Sequence, residues 1–386
     1  MTSTHIPTPI ERGRSELLAQ KIRTDIENHG GQISFARYMA MALYTPELGY
    51  YNSDQMIFGR SGDFMTAPEY SSLFATCIAE TWKTFCDATS HKQFVEMGAG
   101  SGKFAYDFLL QLQQTDYLPE RYIIIEVSNA LRKRQQALLQ ENFPEIFSRI
   151  EWHNTLPPSF SGMIFANEVL DALPVHCFRW QNNLLLERCV GLANQQFIWT
   201  LRPASDALRQ QCMPIIEQCA LSPGYQSEIR LVLHDWIHQL AENIRSAALL
   251  MIDYGYGRNE YYHPARTNGT LTCFYQHQQL DNPFHLPGLT DITAHVDFTA
   301  TAEAFSANQL HLNGFTTQAA FLLETGILQH AEIRTLSPQA LFEQSQAIKR
   351  LTMPSEMGET VKVILATTDS ELKLPGFSLQ DKRHTL

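Results

Sequence analysis

The stretch Phe94-Val-Glu-Met-Gly-Ala-Gly-Ser-Gly-Lys103 decides the fold. A short apolar run ends in an acid, Glu96, and glycines follow at every second position: Gly98, Gly100 and Gly102. Phe104 to Leu110 then reads as an amphipathic helix. Strand, glycine turn and helix form a cradle for a small molecule. Glycines let the main chain approach a ligand closely, and the helix start offers free N–H groups. A tight turn that holds nothing is the plainer reading. Three glycines, however, cost chain entropy that packing alone seldom justifies.

Three ligands compete for this cradle. A dinucleotide fingerprint needs glycine at its sixth position, where Lys103 stands, so a nicotinamide-dependent oxidoreductase is disfavoured. A phosphate-binding P-loop needs one more residue between Gly98 and Gly102, and Phe104 replaces its metal-holding hydroxyl. The remaining pattern, acid-x-G-x-G-x-G at a strand end, resembles motif I of class I S-adenosylmethionine (SAM) methyltransferases. That ligand has no phosphates and needs no phosphate-binding lysine.

Downstream the rhythm is strand and helix. Arg121-Tyr-Ile-Ile-Ile-Glu126 reads as a buried parallel strand. Glu126 falls about 24 positions after the last glycine, near the spacing at which an acid meets ribose hydroxyls in nucleotide-binding sheets. Gly162-Met-Ile-Phe-Ala166 reads as a further strand, opening into Asn167-Glu-Val-Leu-Asp-Ala-Leu-Pro174. Ligands of open parallel sheets sit at the carboxyl ends of the strands, which places Asn167, Glu168 and Asp171 beside the glycine loop. Residues 175–200 read as a β-meander inserted into the α/β pattern. Ala247 to Asp253 is another buried strand, Tyr254-Gly-Tyr-Gly257 a turn, and Asn313-Gly-Phe a break. Val361 to Ala366 closes as a strand suited to an antiparallel sheet edge. Upstream, Ile33 to Leu43 reads as a helix with Ser34 as its cap. The polar loop Phe58 to Glu69 carries two carboxylates, Asp63 and Glu69.

Composition narrows the function. The 386 residues are 44% hydrophobic and 18% charged, an ordinary globular balance. The net charge of −11 argues against binding nucleic-acid phosphates. It suits a basic partner. The 7 cysteines form no C-x-x-C pair and suit reduced thiols. No metal-site spacing of histidines appears among residues 258–297. No apolar run approaches a membrane span, and the first residues carry neither a secretory h-region nor a basic amphipathic helix. The expectation is a cytoplasmic protein.

Taken together, Tyr44-Thr-Pro-Glu-Leu-Gly-Tyr-Tyr51, Gly62-Asp-Phe-Met-Thr-Ala-Pro-Glu69, Glu96-Met-Gly-Ala-Gly-Ser-Gly102, Asn167-Glu-Val-Leu-Asp-Ala-Leu-Pro174, Ile252-Asp-Tyr-Gly255, Asp291-Ile-Thr-Ala-His-Val-Asp-Phe298 and Met357-Gly-Glu359 resemble the MidA family of SAM-dependent methyltransferases. The resemblance implies an α/β, Rossmann-like class I methyltransferase fold: a mostly parallel sheet with a helical N-terminal extension and a β-rich insertion. The expected division is 1–88 for the extension, 89–174 for the SAM-binding half, 175–245 for the insertion and 246–386 for the second half of the sheet. The resemblance also implies SAM as methyl donor and a protein arginine as acceptor in the mitochondrial members, with a respiratory-complex subunit among the conceivable partners. Ala99 and Ser101 stand where the family often has Pro and Arg.

The expected roles follow. The main chain at Gly98, Gly100 and Gly102 would hold the methionine moiety, and Glu96 its amino end. Glu126 would take the ribose hydroxyls, and Asn167 would sit near the adenine or the methyl. Glu168 and Asp171, with Asp63 and Glu69 as second choices, would orient the acceptor and take its proton. The competing expectation of another class is an assembly protein that uses the fold as a docking platform.

Overall fold

The computed structural model describes residues 7–52, 66–276, 278–331 and 337–386. Its centre is a sheet whose seven main strands are β1 (Gln93–Met97), β2 (Arg121–Ile125), β3 (Ile150–His153), β4 (Phe160–Asn167), β5 (Ile244–Tyr256), β6 (His311–Thr317) and β7 (Val361–Thr367). Their spatial order is β3-β2-β1-β4-β5-β7-β6, with the short strand Val296–Asp297 added beside β5. The first five run parallel; β7 is antiparallel to both β5 and β6. The order reverses between β1 and β4, so their carboxyl ends open the crevice in which such sheets bind ligands.

Alternation along β1 divides the core. Phe94 joins Phe104, Phe108, Tyr122 and Phe165 on one face, while Val95 and Met97 join Ile123, Ile125 and Ile164 on the other. Both faces are covered, which is why the middles of β1, β2 and β4 read as apolar runs. Gly162 in β4 is required by packing: a Cβ there would lie 2.0 Å from the Gln93 carbonyl oxygen.

Gln32–Ser34 from the N-terminal part joins His176–Gln181, Leu184–Ala193, Gln196–Pro203 and Gln226–Ile229 in a second, five-stranded antiparallel sheet. Ile33 pairs with Val190. The helical reading of Ile33 is therefore corrected: it is a strand residue, and the helix is Phe35–Tyr44. Ser34 does cap that helix, accepting the Arg37 N–H. Phe35, Tyr38 and Met39 pack with Val175, Cys177 and Val190 in a core of their own.

Three further expectations change. Asn313-Gly-Phe is no break but the middle of β6, where the register shifts between Leu312 and Gly314. A Cβ on Gly314 would run into the Phe377 ring. β7 is antiparallel as expected but interior, because β6 takes the edge. Tyr254-Gly-Tyr256 continues β5, since bare Gly255 lets Val296–Asp297 pair alongside. No described helix is long and apolar enough to cross a membrane.

Candidate active site

A cleft of about 1420 Å³ opens over the carboxyl ends of β1, β2 and β4. The glycine loop forms its floor. Gly98, Gly100 and Gly102 have φ of 65°, 52° and 83°, the left-handed region that side chains rarely enter. Gly98 N–H donates to the Ile125 carbonyl (2.9 Å) and Gly102 N–H to that of Ala99 (2.8 Å), which closes the turn. Gly98, Ala99, Gly100 and Ser101 line the cleft. Gly102 instead starts the helix Lys103–Leu112 and faces the helix Asn129–Asn142, where a Cβ would lie 3.3 Å from Leu138.

Glu96 is buried at the end of β1 and lines the cleft. The Tyr122 hydroxyl donates to it at 2.6 Å. Burial pushes its carboxyl up to about 8, against the pull of that hydroxyl. Glu126 follows β2. Its carboxylate accepts the Ser128 N–H (2.9 Å) and the Gln135 side-chain amide (3.0 Å), and burial raises its pKa.

Asn167 ends β4. Its Nδ2 donates to Glu168 (3.1 Å), and its Oδ1 is buried with no partner. Glu168 adopts φ of 52°, a strained conformation for a side-chain-bearing residue. Its N–H is held by the Ile252 carbonyl (2.9 Å), and its Oε1 faces the Ala67 N–H at 3.4 Å. Burial first, and the Asp171 charge second, push Glu168 up to about 8. Asp171 is also raised by burial, while Arg230 pulls it down. Glu69 reaches the glycine loop from the opposite side, accepting the Ser101 hydroxyl at 2.5 Å. Asp63 lies outside the described residues.

The structure thus brings Glu69, Glu96, Gly98, Gly100, Glu126, Asn167, Glu168 and Asp171 around one cleft. It also adds residues to which sequence reasoning gave no role. Tyr44 and Tyr51 stack at 5.7 Å and line the same cleft. The Tyr44 hydroxyl donates to the Ala172 carbonyl (2.9 Å), and that of Tyr51 to the buried Asp291 carboxylate (3.0 Å). All three lie in the tyrosine and Asp-Ile-Thr blocks that carried the resemblance, which was the available signal. Behind the wall, Arg230 donates to the backbone carbonyls of Asp171 (3.0 Å), Ala294 and His295 (2.5 Å). It clamps the two acid-bearing loops together.

Among the described residues the cleft wall carries eight carboxylates (Glu47, Glu69, Glu96, Glu126, Glu168, Asp171, Glu242 and Asp291) and one cation, Lys133. Such a lining selects positive charge. A sulfonium nucleoside fits the residues present: a bare main-chain floor, carboxylates for its amino and hydroxyl groups, and the unpartnered Asn167 oxygen to accept a donor. Among the described residues no three His, Cys, Asp or Glu side chains are grouped to hold a metal ion.

A family model described as "Putative S-adenosyl-L-methionine-dependent methyltransferase" matches residues 73–316. Protein arginine methyltransferase NDUFAF7, mitochondrial, from Danio rerio is 30% identical over 85% of this chain and 82% of its own length. The Drosophila melanogaster homolog is 30% identical over 90% and 84%, and the Homo sapiens protein 26% over 85% and 78%. A Burkholderia thailandensis crystal structure bound to S-adenosyl-homocysteine superposes with a TM-score of 0.93 at 35% identity, covering 100% of both chains. The chain belongs to this family of SAM-dependent methyltransferases. The cytoplasmic expectation is corrected: relatives of this similarity are named as mitochondrial proteins.

Proposed function

With that membership as premise, we propose that the protein methylates an arginine side chain of a protein substrate, with Glu168 and Asp171 orienting the acceptor. The observation that carries this reading is the excess of carboxylates over cations among the described residues of the cleft wall. An arginine brings a permanent positive charge and a planar fork that carboxylates bind in pairs. The relatives named as protein arginine methyltransferases support the same acceptor.

When bound, SAM supplies a methyl group made electrophilic by its cationic sulfur. The protein supplies position: acceptor nitrogen, methyl carbon and sulfur must stand in line, and most of the rate comes from holding them so. As the acceptor nitrogen forms its bond to carbon, the carbon–sulfur bond breaks and its electron pair stays on sulfur. The guanidinium then carries an excess proton. Glu168 takes it: a carboxyl pushed up to about 8 is a far better base, once ionised beside the arriving cation, than an ordinary carboxylate. Asp171 stays beside it as a second acceptor for the fork. Glu96, Glu126 and the Gly98–Ser101 main chain bind the donor, with Asn167 between donor and acceptor.

The test is methyl transfer to arginine-containing peptides, read by mass spectrometry. Wild type is expected to yield methylarginine. Glu168→Gln and Asp171→Asn are expected to lower kcat by about 10²–10⁴ while S-adenosylhomocysteine affinity changes little. Normal turnover in both variants would remove the carboxylate role; methylation of another residue type alone would remove the arginine.

A further inference from the structure

The helix Asn129–Asn142 buries one polar side chain that lies outside the roles given so far. Gln135 is fully buried. Its Nε2 donates both to the Gly100 carbonyl and to Glu126 Oε2, each at 3.0 Å. Its Oε1 accepts the Trp152 indole N–H, also at 3.0 Å. The orientation of the amide is forced, since two of its partners only accept and the third only donates. One side chain thus joins the glycine loop after β1, the acid after β2 and the indole on β3.

Gly102 makes this reach feasible. Its missing Cβ lets the helix close on the turn, with Gln135 Cγ 3.4 Å from where that atom would stand. The other Glu126 oxygen is held by the Ser128 N–H at 2.9 Å. With Ser128 on one oxygen and Gln135 on the other, both on the protein side, the plane of the carboxylate is fixed. Its remaining lone pairs are left for the cleft that Glu126 lines.

We infer that Gln135 is the positioning residue of the nucleoside site: it aims the Glu126 carboxylate at the ribose hydroxyls and ties that aim to the shape of the glycine loop. Gln135 itself touches no ligand. The inference rests on the reading of Glu126 as the ribose acid. It predicts that Gln135 acts on one part of the ligand and through one partner, rather than on affinity at large.

The experiment is calorimetric binding of S-adenosylhomocysteine and of its 2′-deoxyribose analogue to the full chain. Wild type is expected to prefer the hydroxylated ligand about tenfold, the worth of one good hydrogen bond. In Gln135→Met that preference is expected to fall to about one, with S-adenosylhomocysteine bound about tenfold more weakly. Adding Glu126→Gln to Gln135→Met should cost little more, because both changes remove the same contact. Should Gln135→Met fail to fold, the isosteric Gln135→Glu sets a second carboxylate against Glu126 and should abolish the preference equally. A preference kept at its wild-type value in the variant that folds, or fully additive losses, would overturn the inference alone. No preference in wild type would overturn the ribose reading and the inference with it.

Discussion

The Asp253 carboxylate accepts the backbone N–H of Asp171 at 3.1 Å. It accepts the neighbouring Leu170 N–H at 2.8 Å and, through its other oxygen, that of Tyr254 at 2.7 Å. Asp253 is fully buried, so its work is done on the main chain that presents Asp171 to the cleft. Burial and the charges of Asp171 and Glu168 raise its pKa well above the carboxylate range.

Asp253→Ala strands three N–H groups, those of Leu170 and Asp171 buried and that of Tyr254 half-buried. Each unsatisfied donor costs about 1–3 kcal/mol, so the variant should lose several kcal/mol of stability. Thermal unfolding is the check, with an unchanged Tm counting against the account. In Asp253→Asn the one amide oxygen can still take the Leu170 and Asp171 N–H groups while the amide nitrogen faces that of Tyr254, so the variant should lose less stability than Asp253→Ala and keep a higher kcat. Turnover of Asp253→Ala equal to wild type would show that the loop holds Asp171 without this bond.

The second prediction concerns pH. Glu96, facing Tyr122 and Glu126, and Glu168, facing Asp171, Asn167 and Asp291, are both pushed up to about 8. Near neutral pH both are largely protonated in the free protein. Raising the pH through that value ionises them and makes the cleft more negative. SAM, with its cationic sulfur, should therefore bind more tightly as pH climbs from about 6 to about 8, releasing protons as it does so. S-adenosylhomocysteine, neutral at sulfur, should show the smaller rise. Calorimetry in buffers of different ionisation enthalpy reads the protons directly; equal pH profiles for the two ligands would contradict this.

The same two groups set a stability trend. Their folded pKa values lie above the unfolded ones, so their contribution is fully present below the ordinary carboxylate range. It is lost as pH rises through about 8. Glu96→Gln should flatten that decline in denaturant unfolding measured across pH. A slope identical to wild type would mean that Glu96 ionises in the folded protein as freely as in the unfolded one.

Gly102→Val places a β-branched residue at φ of 83° and a Cβ against Leu138 and Gln135. Backbone strain alone costs about 1–3 kcal/mol, and crowding adds to it. Gly30→Ala is the control: its φ is 75°, but nothing lies within 4 Å of the added atom. It should lose only the backbone part. Equal unfolding midpoints for the two variants would show that the helix Asn129–Asn142 yields freely at this contact.

The parallel half of the sheet was legible because strands buried on both faces are written as apolar runs, each ended here by a polar residue or glycine. Glu96, Glu126 and Asn167 announced themselves by that position. What escaped was whatever depends on distant pairing. Ile33 looks helical until Val190 is set beside it, and β6 hides behind Asn313 and Gly314 because its register shift breaks the alternation. The cleft wall of Tyr44, Tyr51 and Asp291 joins segments far apart in the chain. Gln135 carries no signature at all: a glutamine on a polar helix looks solvated until the fold turns it inward.

The strand order has a consequence for how the molecule is made. The seventh strand leaves the ribosome after the sixth, yet lies between it and the fifth. While translation is under way the fifth strand keeps a bare, apolar edge, the kind of surface on which nascent chains cross-pair. The sixth cannot settle in its final place before the seventh arrives. The sheet therefore closes only once the seventh strand is available, and until then that edge stays open to wrong pairing.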